Sequence, residues 1–296
     1  MTRRAPLAIA VLGLLAASVS HAGSPASADT VACDQAPIQH VPERPRDAPS
    51  GSEFSRSVAT LSGPDRDDAV LAQVLHGNVP NFLRHLVPVT LRAPDTARTL
   101  TVCVLPDYLA VGNDRDFVFV PLGLHAALAI AERLGFELPT PRIVDAIYDA
   151  AAVHLRPQPL PAGDAMRGTP YVVRHNEMIE AQREAASAPL GALTSGHKKD
   201  LVLTSRLWQI PGRVAIYGWH RASGDPIQPL STVHGARYAD YSHGIRLVSD
   251  TVYLDGMPRN ILDVLAEPRL AALLSKEGPL TRLSARLREL QQRNPR

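Results

Sequence analysis

Cysteine is nearly absent: the 296-residue chain has two, Cys33 and Cys103. Without a Cys-x-x-Cys pair, a thiol-based metal knuckle and a thioredoxin-type redox motif are excluded. Aromatic residues make up 5% of the chain, so aliphatic side chains must build the core. Neither sign of charge dominates, with 31 Lys and Arg against 29 Asp and Glu, and Arg3 and Arg4 lie at the extreme N-terminus. That balance excludes a general nucleic-acid binder, which needs a basic face for the phosphates. No internal repeat is present, and HExxH, GxSxG and a phosphate-binding glycine loop are all missing.

What is there begins with a leader. Arg3 and Arg4 precede the uncharged apolar run Leu7 to Ser18, and Ser20-His21-Ala22 offers a signal-peptidase site. Residues 1–22 are therefore expected to be a signal peptide, leaving an exported, periplasmic or extracellular chain with no transmembrane segment. In an oxidising compartment Cys33 and Cys103 should form one disulfide. It would pin residues 23–52, a Pro-, Ser- and Ala-rich flexible arm, to the strand carrying Cys103.

The remainder mixes helices and strands without a regular βαβ rhythm, which predicts an α+β fold. Pro64-Asp65 opens a helix whose apolar face is Ala69, Leu71, Val74 and Leu75, closed by Gly77. Leu122 to Leu134, ended by Gly135, is a second helix, and Thr140-Pro141 starts a third. Leu100 to Leu105 and Phe117 to Val120 read as strands. The proline-rich stretch 155–168 divides a helix-rich N-terminal half, 53–160, from a C-terminal half, 161–296. There Tyr171-Val172-Val173 reads as a strand, Asn176 to Ala186 as a helix, and a mixed or antiparallel sheet carries a histidine-rich region.

That region is where chemistry is expected. His197, His220, His234 and His243 fall between Gly196 and Ser249, on short apolar segments broken by glycines. GHKKD sets His197, Lys198, Lys199 and Asp200 at a strand mouth, where lysines would favour an anionic ligand, unless the segment is simply a solvated loop. In RVAIYGWH, strand alternation places His220 at the end of the apolar side and Trp219 opposite, as core cover or a sugar platform. In YADYSHGIRL, an extended strand would put Tyr241 and His243 on one face and Asp240 and Ser242 on the other. Adjacent Asp, Ser and His then cannot form a triad, so the acid for His243 would be distant Asp200. Arg246 could clamp a carboxylate through two parallel bonds.

SHGIRL at Ser242 to Leu247 resembles the catalytic signature of the L,D-transpeptidases, and Val233-His234-Gly235 resembles that family's upstream His-Gly. The resemblance implies action at the cell wall. The family's nucleophilic cysteine, however, would stand between Gly244 and Ile245, and none is there. His243 and Asp250 also have the spacing of one class of cell-wall zinc peptidases, whose later His-x-His is missing. A zinc ion on His220, His234 and His243 is a competing expectation. The sequence thus predicts a secreted hydrolase of a cell-envelope polymer, peptidoglycan foremost. His243, His220, His234, Asp200 and Tyr241 would be catalytic, with His197, Lys198, Arg246 and Trp219 holding substrate. The rival is a non-catalytic envelope-binding protein using the same residues as a groove.

Overall fold

The computed structural model describes Met1, Cys33, residues 40–93 and residues 97–292. The leader and most of the arm therefore lie outside the described residues. Local rules account for the helices. Ser50 caps α1 (Gly51–Ser57) in a reciprocal capping box with Glu53. Pro64 opens α2 (Pro64–Leu75). Gly135, in the left-handed region at φ 73°, terminates α3 (Leu124–Leu134). Thr140 caps α4 (Pro141–Ala150) by accepting from the Ile143 N–H.

Five strands make the first sheet: β1 (Val87–Arg92), β2 (Thr99–Val104), a two-residue β5 (Phe136–Glu137), β12 (Val248–Leu254) and β13 (Met257–Asn260). All its pairings are antiparallel, and β12 lies between β2 and β13. Because β2 and β12 pair, the two halves share this sheet across the 155–168 connector rather than standing as separate units. Leu100, Val102 and Val104 point into a core with Ile143, Ile147, Val252 and Leu265. Each such side chain taken from water stabilises the fold by about 1.5–3 kcal/mol. β3 (Ala110–Asn113) and β4 (Asp116–Phe119) form a hairpin, and β6 (Val153–His154) pairs with β7 (Thr194–Ser195).

The second sheet is mixed, in the order β10 (Pro226–Ser231), β9 (Ile216–His220), β8 (Lys199–Leu201) and β11 (His243–Gly244). β8 runs parallel to β11 and antiparallel to β9. The α+β class and a mixed sheet carrying the histidine-rich region are thus what the chain adopts. The remaining helices are α5 (Thr169–Ala185), α6 (Arg206–Gln209), α7 (Ile261–Ala266) and α8 (Leu283–Gln292).

Two expectations need correction. The Tyr171-Val172-Val173 strand is the first turn of α5, because Pro170 starts the helix and Val172 turns inward to the core. Residues 40–52 are not a loose arm. Arg44 ties them down, donating to Asn78 Oδ1 and Gly112 O, both at 2.9 Å, and to Ala48 O at 2.6 Å.

The disulfide joins Cys33 to Cys103 with Cα atoms 5.4 Å apart. Cys103 is on the face of β2 opposite Val102 and Val104, packed with Tyr253. A thiol titration of unfolded, unreduced protein should find no free cysteine. Among the described residues no helix is long and apolar enough to cross a membrane.

Candidate functional site

β8 holds the centre of the site. Its Lys199 is opposite His243 of β11 on one side and Gly218 of β9 on the other. Lys198, just before β8, is fully buried. Its Nζ donates to Tyr241 O at 2.7 Å and lies 3.1 Å from His175 Nδ1 on α5. Burial lowers the Lys198 pKa to about 7, against the attraction of Asp240 and Asp107. Burial, reinforced by Lys198, also drives the His175 pKa far down, so this imidazole is neutral and its Nδ1 can accept a hydrogen bond from the lysine.

His243 is fully buried too. Burial lowers its pKa to about 4, with Asp240 pulling the other way, so the ring is neutral at pH 7. Residues 240–243 form a tight turn, with His243 N–H donating to Asp240 O at 3.0 Å. The turn folds Asp240 back until its Oδ2 is 3.9 Å from His243 Nε2. Asp240 Oδ1 accepts from the Ser242 N–H at 2.8 Å and the Ser242 hydroxyl at 2.5 Å, and Tyr238 OH donates to Oδ2 at 3.1 Å. Burial alone would raise the Asp240 pKa, but His243 and Ser242 outweigh it and hold the carboxylate below its usual range. Ser242 is thus committed to Asp240 and is not a nucleophile aimed at His243.

Toward the surface, half-buried His234 stacks on Tyr238 with ring centroids 4.0 Å apart, and Tyr238 meets His243 edge-on at 5.7 Å. The Lys199 ammonium lies 4.9 Å from the centre of the Trp219 ring. Trp219 has φ 59°, an uncommon strain for a bulky residue. Its indole Nε1, His175 Nε2 and both ring nitrogens of His243 are buried with no hydrogen-bond partner in the protein. Unmade bonds of that kind cost roughly 1–3 kcal/mol each. The four belong to side chains that neighbour Lys198 and Lys199, and unpaired buried polar atoms of this kind call for an explanation.

Comparison with protein-family models, with curated proteins and with solved structures finds no match for this chain. The reading of the site therefore rests on geometry.

That geometry redistributes the expected residues. Asp200 is not the acid of His243. It accepts from Tyr108 OH at 2.9 Å, and burial raises its pKa to about 6. The acid facing His243 is Asp240, because the turn replaces the extended strand on which alternation had placed the two apart. Tyr241 is not poised as a proton donor, since its hydroxyl donates to Leu160 O at 3.3 Å while accepting from the Leu160 N–H at 2.6 Å. Arg246 is no substrate clamp: fully buried, it donates to Leu105 O at 2.9 Å and Thr194 O at 2.6 Å, over the Tyr108 ring. Buried His197 faces Asp107 at 3.1 Å, not solvent. Lys198 likewise lies too deep to be a surface clamp.

His220 belongs to a different network, stacked on Tyr148 at 4.5 Å and 3.3 Å from Asp145 Oδ1. The four histidines therefore do not line one concave surface. Among the described residues no three His, Cys, Asp or Glu side chains are grouped closely enough to hold a metal ion. The expected zinc ligands His220, His234 and His243 do not form such a group. His175 was missed altogether, because it fell between the expected strand at 171–173 and the helix expected from Asn176, whereas one helix spans Thr169–Ala185.

Gly244 shows how tightly the site is packed. A Cβ there would come within 2.5 Å of Tyr108 Cδ1 and 2.8 Å of Lys198 Cβ. Gly244→Ala should therefore destabilise the protein by about 1–3 kcal/mol, read as a lower denaturant midpoint at unchanged m-value.

Proposed function

We propose that the protein is an exported hydrolase of a cell-envelope polymer, peptidoglycan foremost, whose acid–base centre is His243 with Asp240, Lys198 and His175. The observation that carries this is the group of buried, unpartnered nitrogens of His175, Trp219 and His243, side chains that neighbour Lys198 and Lys199. A neutral imidazole with a carboxylate 3.9 Å away suits a general base. In the reaction, water gives a proton to His243 as its oxygen bonds the electrophilic carbon. The proton then passes to the leaving group as the scissile bond breaks. Lys198, charged below its pKa of about 7 and within electrostatic reach of His243, stabilises the negative charge that develops. Support for a wall substrate comes from the leader and from the resemblance of SHGIRL to the L,D-transpeptidase signature. Transpeptidation itself is not proposed, because that family's cysteine is missing.

Complete burial of His243 and Lys198 favours a second reading, an envelope-binding protein whose groove is His234, Tyr238 and Lys199. Incubation with purified sacculi separates the two. The hydrolase releases soluble fragments, whereas a binder co-sediments with sacculi that stay intact. Absence of both results would remove both readings.

A further inference from the structure

A buried arginine near this site has a free binding edge. Arg66, in the first turn of α2, is 2% exposed. Its Nη1 donates to Arg167 O at 2.8 Å, but Nε and Nη2 have no hydrogen-bond partner. Those two nitrogens share the side of the guanidinium that offers two parallel N–H bonds. Among the described residues no carboxylate stands within salt-bridge distance of it. Its neighbour Asp67 instead accepts from the Gly123 N–H at 3.0 Å. A buried cation left in that condition is costly, because water no longer solvates it.

Several contacts bring Arg66 beside the site. The Arg167 guanidinium lies 5.8 Å from the centre of the Tyr238 ring, and Tyr238 donates to Asp240. Gly123, which binds Asp67, is followed by Leu124, whose N–H donates to Ala236 O at 2.8 Å. Arg66 also feels the charge of Asp240 across the site. The Arg66 side chain therefore lies near the segment that carries Tyr238 and Asp240.

We infer that Arg66 is a specificity residue, and that its Nε and Nη2 bind a carboxylate of the substrate beside Tyr238. This rests on the site proposed above. The flat edge formed by Nε and Nη2 matches the two oxygens of a carboxylate. In a wall polymer such a group is the free carboxylate of a peptide stem.

The probe is N-acetyl-D-alanyl-D-alanine, compared with its C-terminal amide by calorimetry on the wild-type protein. The acid should bind about tenfold or more tightly than the amide, one good charge-assisted contact. Arg66→Lys keeps the charge but loses the paired edge, and should lower the acid's affinity to the amide's while leaving the amide unchanged. Equal binding of acid and amide, no acid binding up to about 10 mM, or an equal loss of both in Arg66→Lys would overturn the inference. So would displacement of the acid by equimolar inorganic phosphate. If Arg66→Lys fails to fold, the wild-type comparison still decides. Sacculus digestion without acid preference would keep the hydrolase and sink this subsite. Acid preference without digestion would do the reverse.

Discussion

Replacing His243 by glutamine is expected to cut fragment release from sacculi at least about a hundredfold, the usual size of a lost general base. Glutamine nearly matches the imidazole in volume but cannot take a proton at neutral pH. His243 makes no side-chain hydrogen bond, so little structural support is lost with it. Its nearest charged neighbour, Asp240, keeps both bonds from Ser242 and the one from Tyr238. The thermal midpoint should therefore move little while activity collapses. The pH profile adds a second reading. Below about pH 4 His243 holds a proton and cannot act as base, and above about pH 7 Lys198 loses its charge. The profile of kcat/KM should be bell-shaped between those limits in the wild type. A stable His243→Gln protein with full activity would remove His243 from the mechanism.

Lys198→Met should remove the pH dependence of stability that this lysine imposes. Its pKa is lowered from 10.5 to about 7 in the folded protein, by burial above all. Below pH 7 the lysine is protonated both folded and unfolded, so the full cost of burying the charge is present. Between pH 7 and 10.5 the unfolded chain binds more protons than the folded one, so stability rises with pH. Methionine has no such term. Relative to wild type, Lys198→Met should thus be at its best near pH 6. That advantage should shrink by on the order of 3–5 kcal/mol by pH 10.5, as urea titrations across the range would show. Loss of the bonds to Tyr241 O and His175 offsets part of the gain at low pH, by roughly 1–3 kcal/mol. A difference that does not vary with pH would mean that Lys198 titrates normally.

The fold was legible where local chemistry decides it. Thr140-Pro141 and Gly135 start and stop helices through caps that involve only neighbouring residues. β10 and β13 were not foreseen, and both carry proline, at Pro226, Pro229 and Pro258. Each is an edge strand, where a missing N–H can face outward without breaking a ladder. Tyr171-Val172-Val173 reads as a strand by side-chain type, yet Pro170 and core contacts of Val172 turn it into helix.

The region of the site was legible in the same measure, and its wiring was not. Histidines crowded at strand ends drew attention to Lys198 and His243. The partnership of Asp240 with His243 depends on a turn at 240–243, which Asp240 stabilises by accepting from the Ser242 N–H. An Asp two residues ahead of that N–H was the available signal for the turn. His175 and Arg66 come from α5 and α2, and only tertiary packing brings them to the second sheet.

The proposed site has the buried nitrogens of His175, Trp219 and His243 serving a ligand rather than a fold-stabilising core. Its most direct test is a titration of ¹⁵N-labelled protein with soluble peptidoglycan fragments, following the Trp219 indole Nε1–H and the His243 ring signals. These signals should shift first and saturate together, ahead of those of His220 and His197. Fragments that bind while Trp219 and His243 stay unmoved, or that shift His220 alone, would contradict it.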